Sequence, residues 1–287
     1  MTTDKSRHDS KETKMYVGLL TAPFGKEPID RVIAFAAENG FAGLEITAGP
    51  GAHIDTTRFN DNEAERVKEL IAKSNLKISS LAYYANICDG RAETSEHYLR
   101  VIDAAAMLGT DVVCGMAGMP VQGKSKEDTI KEIVPKVYRP ILDHAAEKGI
   151  KIAMENWYAT NIQHLGLWDL IFDVVPDKHF GLNFDPSHLM WQGIDYLGAV
   201  DRYRDRIFHT HAKDTEVKQH VLRHVGYLAG GWWRYVIPGF GEIDWGVYIE
   251  RLYAIGYKGV LSIEHEDGAQ GREEGFIRGL RHLKQWV

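Results

Sequence analysis

Four residues in the second half of the chain carry side chains suited to a hard divalent cation. They are Glu155 in MEN, Asp185 in NFDPSH, His211 in HTHAKD and Glu264 in SIEHED. Each closes a short apolar run: IKIAME (150–155), FGLNFD (180–185), RIFHTH (206–211) and GVLSIE (259–264). A single acid at such a position is unremarkable, because it can cap the helix that follows. Four in succession, all at the same height, are not explained by capping. Carboxylates brought close together repel unless a cation neutralises them. Three carboxylates and one imidazole, with no thiolate, make an oxygen-rich set. Such a set suits Mn²⁺, Mg²⁺ or Co²⁺ better than a structural zinc.

The elements that must position these residues repeat along the chain. Eight runs rich in β-branched residues have the character of strands: 15–20, 42–46, 77–82, 111–116, 150–155, 180–185, 206–211 and 259–264. Stretches of helical periodicity separate them. Those stretches end in Asn39-Gly40, Leu108-Gly109, Lys148-Gly149 and Ile255-Gly256. Glycine just past a helix end adopts the left-handed conformation that satisfies the last carbonyls. Strand and helix in alternation imply parallel pairing, and eight units imply a closed (β/α)8 TIM barrel. An open doubly wound sheet is the alternative. The segment after the first run, TAPFGKEP, is neither GxGxxG nor a phosphate loop. In a parallel barrel the carboxyl ends of the strands form the active face. The four residues above share that rim.

One barrel domain is expected over 15–287, with an amphipathic helix over 127–147. The segment 215–243 reads as a long irregular loop with a functional role. The chain has 287 residues, 34 Lys+Arg against 40 Asp+Glu, and a net charge of −6. It is 44% hydrophobic and 26% charged, which excludes disordered, collagen-like and coiled-coil classes. The acidic balance argues against a nucleic-acid partner. No apolar stretch approaches the roughly 20 residues that cross a bilayer, so no membrane partner is expected. The segment MTTDKSRHDSKETK lacks the apolar core of a signal peptide. A disordered tail over 1–14 and a cytoplasmic protein are the resulting expectations. Cys88 and Cys114 cannot build a disulfide framework and fit a reducing compartment.

The strings GLEI (43–46), MEN (154–156), FDPSH (184–188), HAKD (211–214), PGFGEIDW (238–245) and SIEHED (262–267) appear in an order that resembles one family. It is the xylose isomerase-like TIM-barrel family, which contains sugar phosphate isomerases and epimerases. The resemblance spans residues 15–287. It implies one divalent ion, Mn²⁺ first and Mg²⁺, Co²⁺ or Zn²⁺ as alternatives, held by Glu155, Asp185, His211 and Glu264. It also implies that His188 contacts a substrate oxygen. The expected substrate is a small sugar or polyol. Isomerising or epimerising it means removing a proton beside a carbonyl, while a Lewis acid stabilises the enediolate. A carboxylate takes and returns the proton. The resemblance assigns that work to Glu155 and Glu264 on opposite faces of the substrate.

The same family includes DNA-repair endonucleases with three zinc ions. Those need histidines after the third and fourth strands, where this chain has SSLAYYAN and VVCGMAG. The ketohexose epimerases carry an arginine about six residues past the metal histidine and a glutamate six past the first metal glutamate. Here those positions hold Val217 or Lys218, and Asn161. Elimination from an inosose or a 3-oxo-glycoside by a lyase or dehydratase is the second chemistry the resemblance allows. A non-catalytic sugar-binding subunit is the reading from a different class.

Several further residues have expected places. Lys213 and Asp214 follow the ligand histidine and are expected to touch substrate or a second ion. Trp157, Trp191, Trp232 and Trp233 fall near the upper loops, where aromatic faces stack on sugar rings; Trp232 is assigned to substrate. His209 shares the inward face of its strand with His211. Glu45 reads as a buried structural acid, and His53 as a residue within reach of the mouth. His97, His144 and His282 read as surface groups. The apolar loop 225–240 would close over substrate or pack on a second copy, which makes a homo-oligomer a further expectation.

Overall fold

The computed structural model describes residues 14–287. The tail expected over 1–14 therefore lies, apart from Lys14, outside the described residues. In chain order the strands are β1 (Tyr16–Leu20), β2 (Gly43–Gly49), β3 (Ile54–Asp55), β4 (Lys77–Tyr83), β5 (Val112–Met116), β6 (Lys151–Glu155), β7 (Phe180–Phe184), β8 (Ile207–Ala212), β9 (Asp214–Val217), β10 (Trp233–Val236) and β11 (Val260–Ile263). Eight of them close a ring in the order β1-β2-β4-β5-β6-β7-β8-β11 and back to β1. Every pairing in the ring is parallel. The fold is a single (β/α)8 barrel, and each of the eight expected runs is one of its strands.

The strands are apolar on both faces because helices cover the outside. In β7 all five residues, FGLNF, are buried. The helices bury one stripe. Ile29, Val32, Ile33 and Ala36 of the helix Ile29–Asn39 repeat at the spacing of a single helix face and are buried. That helix ends at Gly40, whose φ of 81° lets its N–H reach the Ala36 and Ala37 carbonyls. Where the first and last helices meet, Phe24, Phe35, Phe41 and Phe276 interlock. Phe24 stacks on Phe276 with centroids 5.6 Å apart, and Phe41 meets Phe276 edge-on at 6.3 Å. This cluster seals the side of the barrel where its first and last units adjoin.

Two expectations change. The helix over 127–147 is two helices, Lys126–Glu132 and Val134–Lys148, divided at Ile133. Pro135 is the cause: it has no N–H to donate, and its ring would strike the carbonyl four residues back. The segment 215–243 is not irregular. β9 and β10 pair antiparallel through Trp233↔Val217, Arg234↔Glu216, Tyr235↔Thr215 and Val236↔Asp214. Between them stands the short helix Gln219–Val225. The Arg234 guanidinium binds Glu216 across the ribbon at 2.5 Å and Asp267 at 2.6 Å, which ties the ribbon to the loop after β11.

Two irregularities in the ring fall beside the rim residues. Pairing of β2 with β4 shifts between Leu44 and Glu45, so that Ser79 has no partner and Glu45 faces Ser80. Pairing of β7 with β8 shifts between Leu182 and Asn183, which skips Phe208 and brings Asn183 to His209. An extra residue of this kind re-aims the side chains that follow.

Candidate metal centre

The four candidate ligands converge at the carboxyl end of the barrel. Glu155 ends β6, Asp185 follows β7, His211 lies in β8 and Glu264 follows β11. One donor atom from each falls within 4.8 Å of the others. His211 Nδ1 stands 3.1 Å from Glu155 Oε1, 3.1 Å from Glu264 Oε2 and 3.9 Å from Asp185 Oδ2. Donor atoms about 3 Å apart suit adjacent positions around a cation that holds oxygen at about 2.1 Å.

The imidazole is aimed from behind. Glu45 Oε2 accepts from His211 Nε2 at 3.0 Å and from Ser262 Oγ at 2.8 Å, while Glu45 Oε1 accepts from the Tyr84 hydroxyl at 2.7 Å. The hydrogen-bond pattern thus places the proton on Nε2 and turns Nδ1 to the carboxylates. Glu45 is buried, as expected, and its role is to orient the histidine. Asp185 is held through its backbone, which exchanges bonds of 2.8 and 2.9 Å with the Asn156 amide. Its Oδ1 accepts from the Ser187 N–H at 2.8 Å. Its Oδ2 is buried with no hydrogen-bond partner among the described residues. A buried carboxylate oxygen that makes no hydrogen bond of its own and faces the Lys213 ammonium at 3.2 Å, amid two further carboxylates and an imidazole nitrogen, fits a divalent ion.

Lys213 is 1% exposed and reaches the same oxygens. Its Nζ lies 2.5 Å from Glu264 Oε2, 3.2 Å from Asp185 Oδ2, 3.7 Å from Glu155 Oε1 and 3.1 Å from Glu266 Oε2. The charges set the protonation states. Burial works against the charge on Glu155, but Lys213 and the two imidazoles hold it well below the usual carboxylate range. Burial, then repulsion from Glu155, pushes Glu264 up despite Lys213. Glu45 is buried yet drawn down to about 2, chiefly by His211 and with a hydrogen bond from the Tyr84 hydroxyl. His209, which is buried, falls to about 4 and is neutral. Its Nδ1–H donates to Asn183 Oδ1 at 2.9 Å, and its Nε2 accepts from the Ser79 and Ser80 hydroxyls at 3.2 Å.

His188 joins the quartet from the short helix Ser187–Met190. Its Nε2 is 3.2 Å from Glu155 Oε1, and its Nδ1 is 2.6 Å from the Tyr235 hydroxyl on β10. The aromatic wall continues outward from there. Trp233 meets Tyr235 at 5.0 Å, Tyr158 at 6.0 Å and stacks on Trp191 at 4.2 Å. Trp232, just before β10, is buried against Trp191 and Tyr227. Alternation along β10 puts Trp233 and Tyr235 on one face, beside His188.

Asp214 is enclosed by the loop before the helix Trp245–Ala254. Its carboxylate is buried and accepts from the N–H groups of Thr215, Gly239 and Ile243 and from the Trp245 indole, at 2.8 to 3.0 Å. PGFGEIDW is therefore the segment that wraps Asp214. Gly241 has no room for a side chain, since a Cβ there would fall 2.3 Å from Asp214 Oδ1. Asn161 is buried and donates to the Ala117 and Met119 carbonyls, away from the quartet. His53 binds the Thr47 and Thr21 hydroxyls at 2.8 and 3.0 Å and lines a cavity of about 580 Å³ between the loops after β1 and β2. His97 is buried, not superficial. His144, half-buried, pairs with Asp103 at 2.9 Å, and half-buried His282 packs against Gly239. Tyr84, Tyr235 and Glu266 were not foreseen. Tyr84 lies just past the apolar run of β4, where nothing in its neighbours marks it as polar in function.

The chain belongs to the xylose isomerase-like TIM barrel family, whose profile matches residues 33–286. It is similar to the uncharacterized protein YfiH of Bacillus subtilis (strain 168), 26% identical over 95% of this chain and 99% of that one. It is similar to the inosose dehydratase of Histophilus somni (strain 129Pt), 25% identical over 91% of each. Solved structures share the fold at lower identity. The probable 3-DHS dehydratase AsbF of Bacillus anthracis has a TM-score of 0.77 and 19% identity over 94% of this chain and 99% of that one. The IolI protein with a bound zinc atom has 0.73 and 19%, over 95% and 99%. The 3-keto-D-glucoside 4-epimerase YcjR of E. coli has 0.72 and 21%, over 95% and 100%. No helix among the described residues is long and apolar enough to cross a membrane.

Proposed function

We propose that this protein is a metal-dependent enzyme that moves a proton at the carbon beside a carbonyl in an unphosphorylated sugar, polyol or oxidised glycoside. Isomerisation or epimerisation is the first outcome. The observation that carries the reading is the convergence of Glu155, Asp185, His211 and Glu264 donor atoms within 4.8 Å on the active face of the barrel. Those four residues would hold the ion, Mn²⁺ by the hardness of the oxygen-rich set. A divalent cation there supplies Lewis acidity to the carbonyl and hydroxyl oxygens of the substrate.

The chain's own groups do the rest. Glu155 and Glu264 flank His211, each 3.1 Å from its Nδ1, and are the carboxylates available to take a proton and to return it. His188, fixed by Tyr235, offers its Nε2 to a substrate oxygen. Trp233, Trp191 and Tyr158 supply an aromatic face for the apolar side of a sugar ring. A second reading, loss of water after the same proton removal, is favoured by the inosose dehydratase similar over 91% of the chain.

The test begins with metal analysis of the purified protein. Ketohexoses, an inosose and a 3-oxo-glucoside are then incubated in D₂O with wild type, Glu155→Gln and Glu264→Gln. The expected result is deuterium at the carbon beside the carbonyl with wild type and its loss in either folded variant. An inverted centre marks an epimerase, and an unsaturated product a dehydratase. Exchange that persists unchanged in both variants removes the roles assigned to the two glutamates.

A further inference from the structure

Lys213 is a full positive charge inside the quartet that an ion would occupy. Its Nζ touches Glu264 Oε2 at 2.5 Å and Asp185 Oδ2 at 3.2 Å, and His188 Nε2 is 3.3 Å away. The side chain is 1% exposed, so this is a built position and not a surface lysine folded inward. Glu264 Oε2 and Asp185 Oδ2 are two of the oxygens a divalent ion would need at about 2.1 Å. Two cations sharing the same oxygens at that range repel strongly.

A second seat stands next to the first. Glu266 Oε2 is 3.1 Å from Nζ, and the Glu266 side chain is 47% exposed at the rim. Tyr235 flanks the path, with its ring centroid 4.5 Å from Nζ. A lysine on a flexible stem can keep Glu266 while it gives up Glu264 and Asp185.

We propose that Lys213 is a tethered cation that competes with the divalent ion for Glu264 and Asp185, and that Glu266 is the seat to which its ammonium withdraws as the ion loads. Lys213 then sets metal affinity, and loading carries its ammonium toward the mouth where substrate enters. The inference rests on the metal-centre reading above. No charge or bond changes hands in it; one cation replaces another at shared oxygens.

The experiment is calorimetric titration of Mn²⁺ into chelator-treated wild type, Lys213→Met and Glu266→Gln, with thermal melts before and after loading. Lys213→Met is expected to bind Mn²⁺ about tenfold tighter or more, on the scale by which residues around a metal site tune it. Its chelated form melts below wild type, and Mn²⁺ restores much of the loss. Glu266→Gln removes the outer seat and is expected to weaken Mn²⁺ about two- to fivefold, the worth of one part-exposed ion pair. This second variant changes a rim residue and keeps the test decisive should Lys213→Met not fold. Equal or weaker Mn²⁺ binding in Lys213→Met, or equal or tighter binding in Glu266→Gln, overturns the proposal. If wild type itself takes up no Mn²⁺, Mg²⁺, Co²⁺ or Zn²⁺, the metal-centre reading fails first and the competition with it.

Discussion

Asp214→Asn is expected to destabilise the barrel without touching the metal centre. The Asp214 Oδ2 accepts from the Gly239 N–H at 2.9 Å and from the Trp245 indole at 2.8 Å, while Oδ1 takes the Thr215 and Ile243 N–H groups. An asparagine keeps one acceptor oxygen and turns the other into an NH₂. Whichever way it flips, two buried donors then face a donor. Hydrogen bonds to a charged acceptor contribute about 1.5–3 kcal/mol each, so losing two costs roughly 3–6 kcal/mol. That is a large part of the roughly 5–15 kcal/mol that holds a typical domain. It corresponds to a fall in melting temperature on the order of 10 °C for a chain of this size.

The assay is denaturant unfolding alongside hydrogen exchange over 237–245 and titration of a divalent ion. Exchange should rise first in that segment, because its backbone N–H groups lose their acceptor. None of the four bonds involves Glu155, Asp185, His211 or Glu264, so ion affinity in the folded variant stays within about threefold, a difference worth less than 1 kcal/mol. The reasoning fails if Asp214→Asn melts like wild type and yet loses the ion or the activity. That outcome would return Asp214 to the substrate or metal role its place in HAKD suggests.

Three other expectations can be checked directly. Glu45→Gln weakens divalent-ion binding by about 10- to 100-fold in a calorimetric titration, because His211 loses the carboxylate that aims it; unchanged affinity would show that the His211 ring is aimed without Glu45. Neither thiol reacts fast in the native protein. Burial, helped by Asp89, pushes the Cys88 thiol up to about 11, and burial raises Cys114 further. At pH 8 only about one part in a thousand of Cys88 is the reactive thiolate; two fast equivalents in a thiol titration without denaturant would contradict this. Phe276→Ala, at a fully buried ring, lowers unfolding free energy by about 3–5 kcal/mol and leaves ion binding intact; a melt within 1 °C of wild type would mean the aromatic seal is dispensable.

All eight barrel strands were legible in the sequence because a parallel strand covered on both faces must be apolar throughout, and such runs stand out. The convergence of Glu155, Asp185, His211 and Glu264 was legible for the opposite reason: they interrupt those runs at one height. The ribbon β9–β10 was not. TEV and WRYV alternate as strands do, but 15 residues separate Val217 from Trp233 in the chain, and nothing local announces their pairing. Lys213 was placed at the site by its position after His211. Its burial among carboxylates was not foreseen, since lysine is buried only when paired and its partners come from three other strand ends. Asp214 reads from sequence as a contact to substrate or a second ion because it follows His211 closely; only the fold shows that the loop 239–245 closes on it.

The upper interior of the cylinder explains why position and chemistry cannot be separated here. A closed ring of strands satisfies its own backbone and leaves no free edge. Inward side chains must therefore satisfy one another. Glu45, Ser80, Asn183, His209, His211 and Ser262 are buried at 1% exposure or less, and each is bonded to another member of that set or to Tyr84. The two register shifts, at Ser79 and Phe208, set which of these groups meet. A slip of one residue in β8 would turn His209 and His211 outward and place Phe208 and Thr210 inside. The polar contacts that orient the ligand histidine thus also hold the register of the strands around it. Removing one member strands the others without partners, which costs more than the lost bond alone. The candidate metal centre is in this sense part of the folding of the barrel's upper layer, and substitutions behind His211 should move stability and ion affinity together.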